Sequence, residues 1–282
     1  MSSAAQQVWV LGGGGLTGIA WQTGMLAGLA DEGVLLDPSA TILGTSAGST
    51  VAAQVGSGVP IAELYERQLA GVDYEISKGL SGGSLLRYLS AYLFTRTPVA
   101  AGRRIGAMAI KAKVGPIAER RAVIEQRLPQ HEWSDRDVRV VAIDALTGEA
   151  RVITRADGLN LVDAVAASCA IPLVWPPVEL DGRLYIDGGM RSSLNMDLAP
   201  GSGPVIALSP SSASLSRFGR IEAQRSRLAP DRVVEVVSMS DESKAAQGKN
   251  SLDKSVVPAT AAAGREQGRR EAARVAAALR RA

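Results

Sequence analysis

The first 57 residues repeat one unit twice: a short apolar run, a glycine turn and a helix-like stretch. Val8-Trp9-Val10-Leu11 reads as a buried strand ended by four glycines, Gly12 to Gly15. A helix is expected from about Gly18 to Glu32, where Ile19, Ala20, Met25, Leu26 and Leu29 fall near helical spacing. Ala40 to Leu43 is the next strand. Gly44-Thr45-Ser46-Ala47-Gly48 follows it, and a second helix opens at Ser46. Strand, helix, strand, helix in so short a span implies a parallel sheet covered by helices, because each crossover helix returns the chain to start a parallel neighbour.

Residues 60 to about 130 are different: little strand signal and several helical patterns, such as Ile61 to Leu69 and Arg120 to Leu128, with a Ser/Gly loop at Gly79 to Gly83. They read as a helical insertion or cap beside the sheet. Strands resume at Val138 to Ile143, and a turn at Ala145 to Ala150 leads into Arg151 to Thr154. A helix over Leu161 to Ala170 is ended by Ile171-Pro172. Leu184-Tyr185-Ile186 is a short strand that stops at Asp187-Gly188-Gly189. Pro204 to Leu208 and Val233 to Val237 are further strands, and the Ala- and Arg-rich tail from about Ala259 to Ala282 is helical. The expectation is one domain: a core over 7–210, and a C-terminal strand and basic helical tail over 211–282 that complete it.

Composition narrows the function classes. The single cysteine, Cys169, excludes an internal disulfide and any cysteine-rich metal site. The net charge of +3 is mild and the arginines are scattered among acids, so nucleic-acid binding is not indicated. The N-terminus lacks a secretory pattern, and no run approaches the roughly 18 apolar residues of a membrane span. The expected protein is cytoplasmic, with peripheral membrane contact left open. One place for such contact is the basic tail. Another is the stretch over 81–98, where Leu85, Leu86, Tyr88, Leu89, Tyr92, Leu93 and Phe94 suit either a lid over an acyl chain or an ordinary packed helix.

A tight strand-to-helix turn places Ser46 at its tip, with Gly44, Ala47 and Gly48 as the small residues such a turn needs. That suits a nucleophile, but also a plain helix N-cap. The glycine run from Gly12 to Gly15, then Leu16, Thr17 and Gly18, can converge backbone N–H groups on an anion at a helix start. The anion could be a nucleotide pyrophosphate, since Gly13-x-Gly15-x-x-Gly18 fits the dinucleotide fingerprint, or the oxyanion of an acyl-transfer intermediate. The fingerprint needs a ribose-binding acid after the second strand, and Ser46 stands there instead. His131 is the only histidine, sits in a polar turn and precedes Asp187, so a histidine base for Ser46 is not indicated. The best remaining base is Asp187, which two glycines allow to turn toward another strand's C-terminal end; the bland alternative is an Asp-Gly turn.

Gly-Gly-Gly-x-x-Gly, Gly-x-Ser-x-Gly and Asp-Gly-Gly, in that order, resemble the patatin-like phospholipase family. Ala142-Ile143-Asp144-Ala145-Leu146-Thr147-Gly148, Ser168-Cys169-Ala170-Ile171-Pro172 and Pro176-Pro177 look like segments of the same family, so the likeness covers roughly 7–200. The resemblance implies an α/β fold, three-layer α/β/α with a mainly parallel central sheet, and a Ser–Asp dyad. By matching position Ser46 is the nucleophile, Asp187 the general base, and the N–H groups of Gly13, Gly14 and Gly15 the oxyanion hole. Gly18, Gly44, Gly48, Gly188 and Gly189 support the motifs. No cofactor and no metal are implied. The implied substrate is a lipid or small acyl ester, cleaved through an acyl-enzyme. One departure is Thr17, where many family members carry Arg or Lys; it bears on headgroup preference. The alternatives are a non-catalytic ligand-binding or interaction protein of the same fold, or a nucleotide-binding Rossmann-type protein.

Overall fold

The computed structural model describes residues 6–71, 88, 90–93, 95–211 and 217–281. Among these, eight strands form one sheet whose hydrogen-bonded neighbours run β5-β6-β3-β2-β1-β7-β8, with β4 also on β3. The strands are β1 (Val8–Leu11), β2 (Thr41–Thr45), β3 (Val138–Asp144), β4 (Ala150–Ile153), β5 (Val178–Leu180), β6 (Arg183–Asp187), β7 (Val205–Ser209) and β8 (Val234–Ser238). Pairing is parallel from β3 through β2, β1 and β7 to β8, and antiparallel for β4, β5 and β6.

Both faces of β1, β2 and β7 are buried, which is why these strands read as apolar runs, while the edge strand β8 is half-buried and carries Glu235. Trp9, Leu11, Ile42, Val140, Ala142, Ile206 and Leu208 point to one side. There they meet α1 (Gly15–Asp31), α2 (Ala47–Gly56), α6 (Leu161–Ser168) and α9 (Val257–Arg280). Val8, Val10, Leu43, Val141, Val205 and Ala207 point to the other, against Leu194, Met196 and α7 (Ile221–Arg225). On that same side Ile143 packs with α4 (Pro98–Lys111). The architecture is therefore α/β/α in three layers with a mainly parallel sheet. Between α2 and β3 the described residues hold the helices α3 (Ile61–Leu69), α4 and α5 (Ile117–Arg127) and no strand. The Gly79–Gly83 loop, and half of the 81–98 stretch (81–87, 89 and 94), lie outside the described residues.

One junction positions the site. β4 pairs with residues 140–143 of β3, overlapping both the residues that β2 uses (138–141) and those that β6 uses (142–144). A strand has two edges, so β2 and β6 must share the edge opposite β4, end to end. Thr45 pairs with Val141 and Asp187 with Ala142, so the two strands arrive head-on from opposite directions.

Several elements differ from the sequence expectation for local reasons. Helix α1 starts at Gly15, three residues early, because Gly14 O already accepts the Gly18 N–H. Helix α6 stops at Ser168, before Ala170, because the Ala170 carbonyl is drawn to the Asp187 N–H at 3.0 Å. The three-residue β5 and the helices α7 and α8 (Asp241–Gln247) were not anticipated, while α4 falls inside the expected helical insertion. The basic tail is not a solvated surface helix alone. Helix α9 crosses α1 where Gly24 and Gly28 face Gly264 and Gly268, and a Cβ on any of the four would run into the partner helix's backbone. Arg265 and Arg269 of α9 both pair with Asp31, at 2.8 and 2.7 Å. Across the same contact Gln267 Oε1 accepts from Trp21 Nε1 at 2.9 Å, and it also accepts from Ser243 Oγ of α8 at 2.9 Å.

Candidate active site

Ser46 leaves β2 with φ 52° and ψ −118°, a left-handed conformation that costs a serine of order 1–3 kcal/mol. The surroundings hold it there. Its N–H donates to Ser168 Oγ at 2.8 Å, and Ser168 Oγ in turn donates to the Val141 carbonyl at 2.6 Å, at the gap where β2 and β6 both end. Its carbonyl accepts from the N–H groups of Ser49 and Thr50 at the start of α2. The turn tolerates only glycine at two flanks. A Cβ on Gly48 would strike the Leu11 carbonyl, and one on Gly44 would strike Gly48 O and Ser49 Cα.

Ser46 is the N-cap of α2 by position, yet its side chain makes no capping bond. Its hydroxyl donates instead to Asp187 Oδ2 at 2.7 Å. The other carboxylate oxygen accepts from Gly189 N–H at 2.7 Å, so Asp187 also makes the Asp-Gly turn that its sequence suggested. Gly188 is forced by packing, since a Cβ there would strike Val141 O. Asp187 is 2% exposed. Burial pushes its carboxyl up to about 6, against the pull of the Ser46 and Gly189 hydrogen bonds and the Arg120 charge. Tyr88 and Tyr92 also face this carboxylate, and burial together with its charge raises both phenols. Tyr92 Oη donates to Met190 O at 2.5 Å, and Tyr88 Oη donates to Pro172 O.

The glycine loop lies against the same serine: a Cβ on Gly13 would sit 3.4 Å from Ser46 Cβ, and one on Gly18 the same distance from Ala47 Cβ. The N–H groups are not equivalent. Gly12 N–H donates to Leu208 O at 3.0 Å and Gly13 N–H to Ser193 O at 2.8 Å. Gly14 and Gly15 N–H have no acceptor among the described residues, and Gly15 takes φ 66°. Of the three glycines expected to point N–H groups at an anion, Gly13 is held by the Ser193 carbonyl, while the N–H groups of Gly14 and Gly15 stay uncommitted among the described residues. Thr17 is fully buried. It takes a hydrogen bond from Gln247 Nε2 at 2.8 Å, and its N–H donates to Ser251 O at 3.2 Å. A loop from the C-terminal segment thus closes over the position.

A narrow cleft with about 30 Å³ of free space, open to solvent at its mouth, is lined by Ser46, Gly15, Leu16, Ala47, Cys169, Ile171, Trp175 and Leu252, with Arg120 and Arg127. Arg120 lies over the Trp175 ring at 5.0 Å. This arrangement has the parts of an acyl-transfer site: a hydroxyl on a carboxylate, N–H groups beside it, and an apolar wall. His131 is exposed, with Nε2 on the Glu125 carbonyl at 3.0 Å, and does not line the cleft. Among the described residues no cluster of His, Cys, Asp and Glu could hold a metal ion, and no helix is long and apolar enough to cross a membrane.

Sequence reasoning missed Ser168, which entered only as a letter in a family-like segment, and Asn195, Gln247 and Ser251 altogether. Nothing in their local sequence marks them, because their roles exist only across long separations.

Among solved structures, the crystal structure of VipD from Legionella pneumophila is similar at 12% identity and a TM-score of 0.46, over 96% of this chain and 67% of that one. The model of the family described as Patatin-like phospholipase matches residues 9–200, which takes in β1 from Trp9, the glycine loop, Ser46 and Asp187. The chain belongs to the patatin-like phospholipase family.

Proposed function

We propose that the protein is a lipid acyl hydrolase that works through a Ser46–Asp187 dyad. The observation that carries this reading is the 2.7 Å hydrogen bond from Ser46 Oγ to Asp187 Oδ2 in a buried site where no histidine stands. As Ser46 Oγ attacks the ester carbonyl carbon, Asp187 takes its proton. The carbonyl oxygen, now negative, is met by the N–H groups of Gly14 and Gly15 and by the positive end of α1. Collapse expels the alcohol, which takes the proton back from Asp187, and leaves Ser46 acylated. Water enters, gives its proton to Asp187 and attacks the acyl carbon; the acid leaves and Ser46 Oγ recovers the proton. The apolar wall formed by Leu16, Ile171, Trp175 and Leu252 suits the acyl portion of a lipid ester.

A carboxyl near 6 is mostly ionised at pH 7, yet basic enough to accept a proton from serine in the transition state. The test is hydrolysis of p-nitrophenyl esters of graded chain length, with a fluorophosphonate label mapped by mass spectrometry. Label on Ser46, and loss of both label and hydrolysis in Ser46→Ala, are expected. Turnover that persists in Ser46→Ala and Asp187→Asn would sink the assignment.

A further inference from the structure

The segment Ser192–Asn195 touches every part of the site without lining the cleft. Ser193 O holds the Gly13 N–H at 2.8 Å, so it fixes the glycine loop. Leu194 O accepts from Thr45 Oγ1 at 3.4 Å, on the residue before Ser46. The Asn195 amide does more: Nδ2 lies 3.2 Å from Thr45 Oγ1, 3.1 Å from Gly188 O and 2.8 Å from Ser192 O. One amide nitrogen therefore joins the residue before the proposed nucleophile to the residue after the proposed base.

The orientation of that amide is not free. Asn195 Oδ1 accepts from Arg191 Nη1 at 2.8 Å, and Arg191 is itself held by Asp197 through contacts of 2.9 and 2.5 Å. With the oxygen committed to a guanidinium, the NH₂ must face the three acceptors. Asn195 is fully buried and takes φ 51° and ψ 33°, a left-handed conformation that asparagine tolerates better than most residues.

We propose that Asn195 is a positioning residue that sets the Ser46–Asp187 separation by tying the end of β2 to the turn after β6. The backbone needs such a tie here, because the two strands meet end to end on β3 and have no ladder bond between them. The proposal rests on the dyad reading given above.

The test compares the full-length wild type with Asn195→Gly, Asn195→Asp and Thr45→Val. Glycine keeps the left-handed backbone and removes only the amide. Aspartate keeps the shape but turns an acceptor toward Gly188 O and Ser192 O. Valine removes the Thr45 hydroxyl at nearly constant shape. For Asn195→Gly the expected result is a fall of about tenfold or more in kcat at little-changed KM, with slower fluorophosphonate labelling, as a misplaced reacting group produces. The acid limb of the pH–rate profile should also move to higher pH. A weakened Ser46 bond ceases to hold the Asp187 carboxyl down, while Arg120, Tyr88 and Tyr92 still face it. Asn195→Asp should label more slowly still.

A merely structural role predicts something else: a lower Tm, with the rate per folded molecule and the acid limb unchanged. That outcome for Asn195→Gly overturns the proposal. If Asn195→Gly does not fold, Thr45→Val decides: a smaller displacement of the acid limb in the same direction supports the tie, and a wild-type profile overturns it. Wild type that is not labelled at Ser46 overturns the hydrolase reading itself. Wild type labelled, Ser46→Ala silent and Asn195→Gly labelled at the wild-type rate overturns this inference alone.

Discussion

Replacing Asp187 by Asn should stabilise the protein while it removes activity. An ionised carboxylate that is 2% exposed is held in the fold at a cost, and the upward movement of its acidity measures that cost. Moving a carboxyl from its ordinary value of 3.8 to about 6 corresponds to about 3 kcal/mol at 1.36 kcal/mol per tenfold change. The direction follows from linkage. Since the folded value lies above the unfolded one, the folded state binds the proton more tightly. Stability from this group is full below about 3.8, declines as pH rises toward 6, and is level beyond. Asparagine resembles the protonated acid: it is neutral, and its Oδ1 can still accept from Gly189 N–H. The variant should therefore match the wild type near pH 3.5 and exceed it by about 3 kcal/mol above pH 7, or roughly 6 °C in Tm for a chain of this size. Thermal unfolding of both proteins from pH 3.5 to 8 measures the difference. In the same preparations ester hydrolysis should fall by about 10²- to 10⁴-fold, the usual worth of a general base. Equal stability at pH 8, or an advantage as large at pH 4 as at pH 8, would refute the reasoning that Asp187 is a strained, buried anion.

Other outcomes follow from the same geometry. Wild-type kcat/KM should rise with pH through an inflexion near 6, because the base must be ionised and burial has raised its carboxyl; a flat profile from pH 5 to 8 contradicts it. Ser168→Ala leaves the Ser46 N–H and the Val141 carbonyl buried without a shared hydroxyl, so it should cost about 1–3 kcal/mol in denaturant unfolding and lower kcat. Gly264→Val pushes side-chain atoms at the Trp21 carbonyl, 2.5 Å from an added Cβ, and should destabilise by about 1–3 kcal/mol or more although it lies far along the chain from the site. His131→Ala should leave hydrolysis and labelling unchanged; a collapse of activity with an intact fold would restore a histidine mechanism.

The parts legible in the sequence are those whose requirement is local. Apolar runs closed by glycine turns gave away β1, β2 and the parallel sheet, and the small residues around Ser46 marked a turn that other side chains cannot enter. Asp187 could be reached by elimination, since a lone histidine in a polar turn left little else. What was hidden depends on distant partners. Gly13 looks like its neighbours until Ser193 is seen to hold its N–H. Asn195 and Ser168 are ordinary polar residues in sequence, and only the end-to-end meeting of β2 and β6 gives them something to bridge. Helix α9 read as a basic surface helix because its arginines are evident in the sequence and its glycines are not evident as a packing face. Yet Gly264 and Gly268 let it lie directly on α1.

The head-on junction on β3 also bears on when the protein becomes reactive. Ser46 and Asp187 are 141 residues apart, and the strand that aligns them lies between them in the chain. During synthesis the serine therefore emerges long before its carboxylate, and contacts of such separation form late in folding. A partly made or partly folded chain carries a serine hydroxyl of ordinary basicity, with nothing to take its proton. In the proposed mechanism the capacity to cleave esters is thereby tied to completion of the sheet, and an unfinished molecule would lack it.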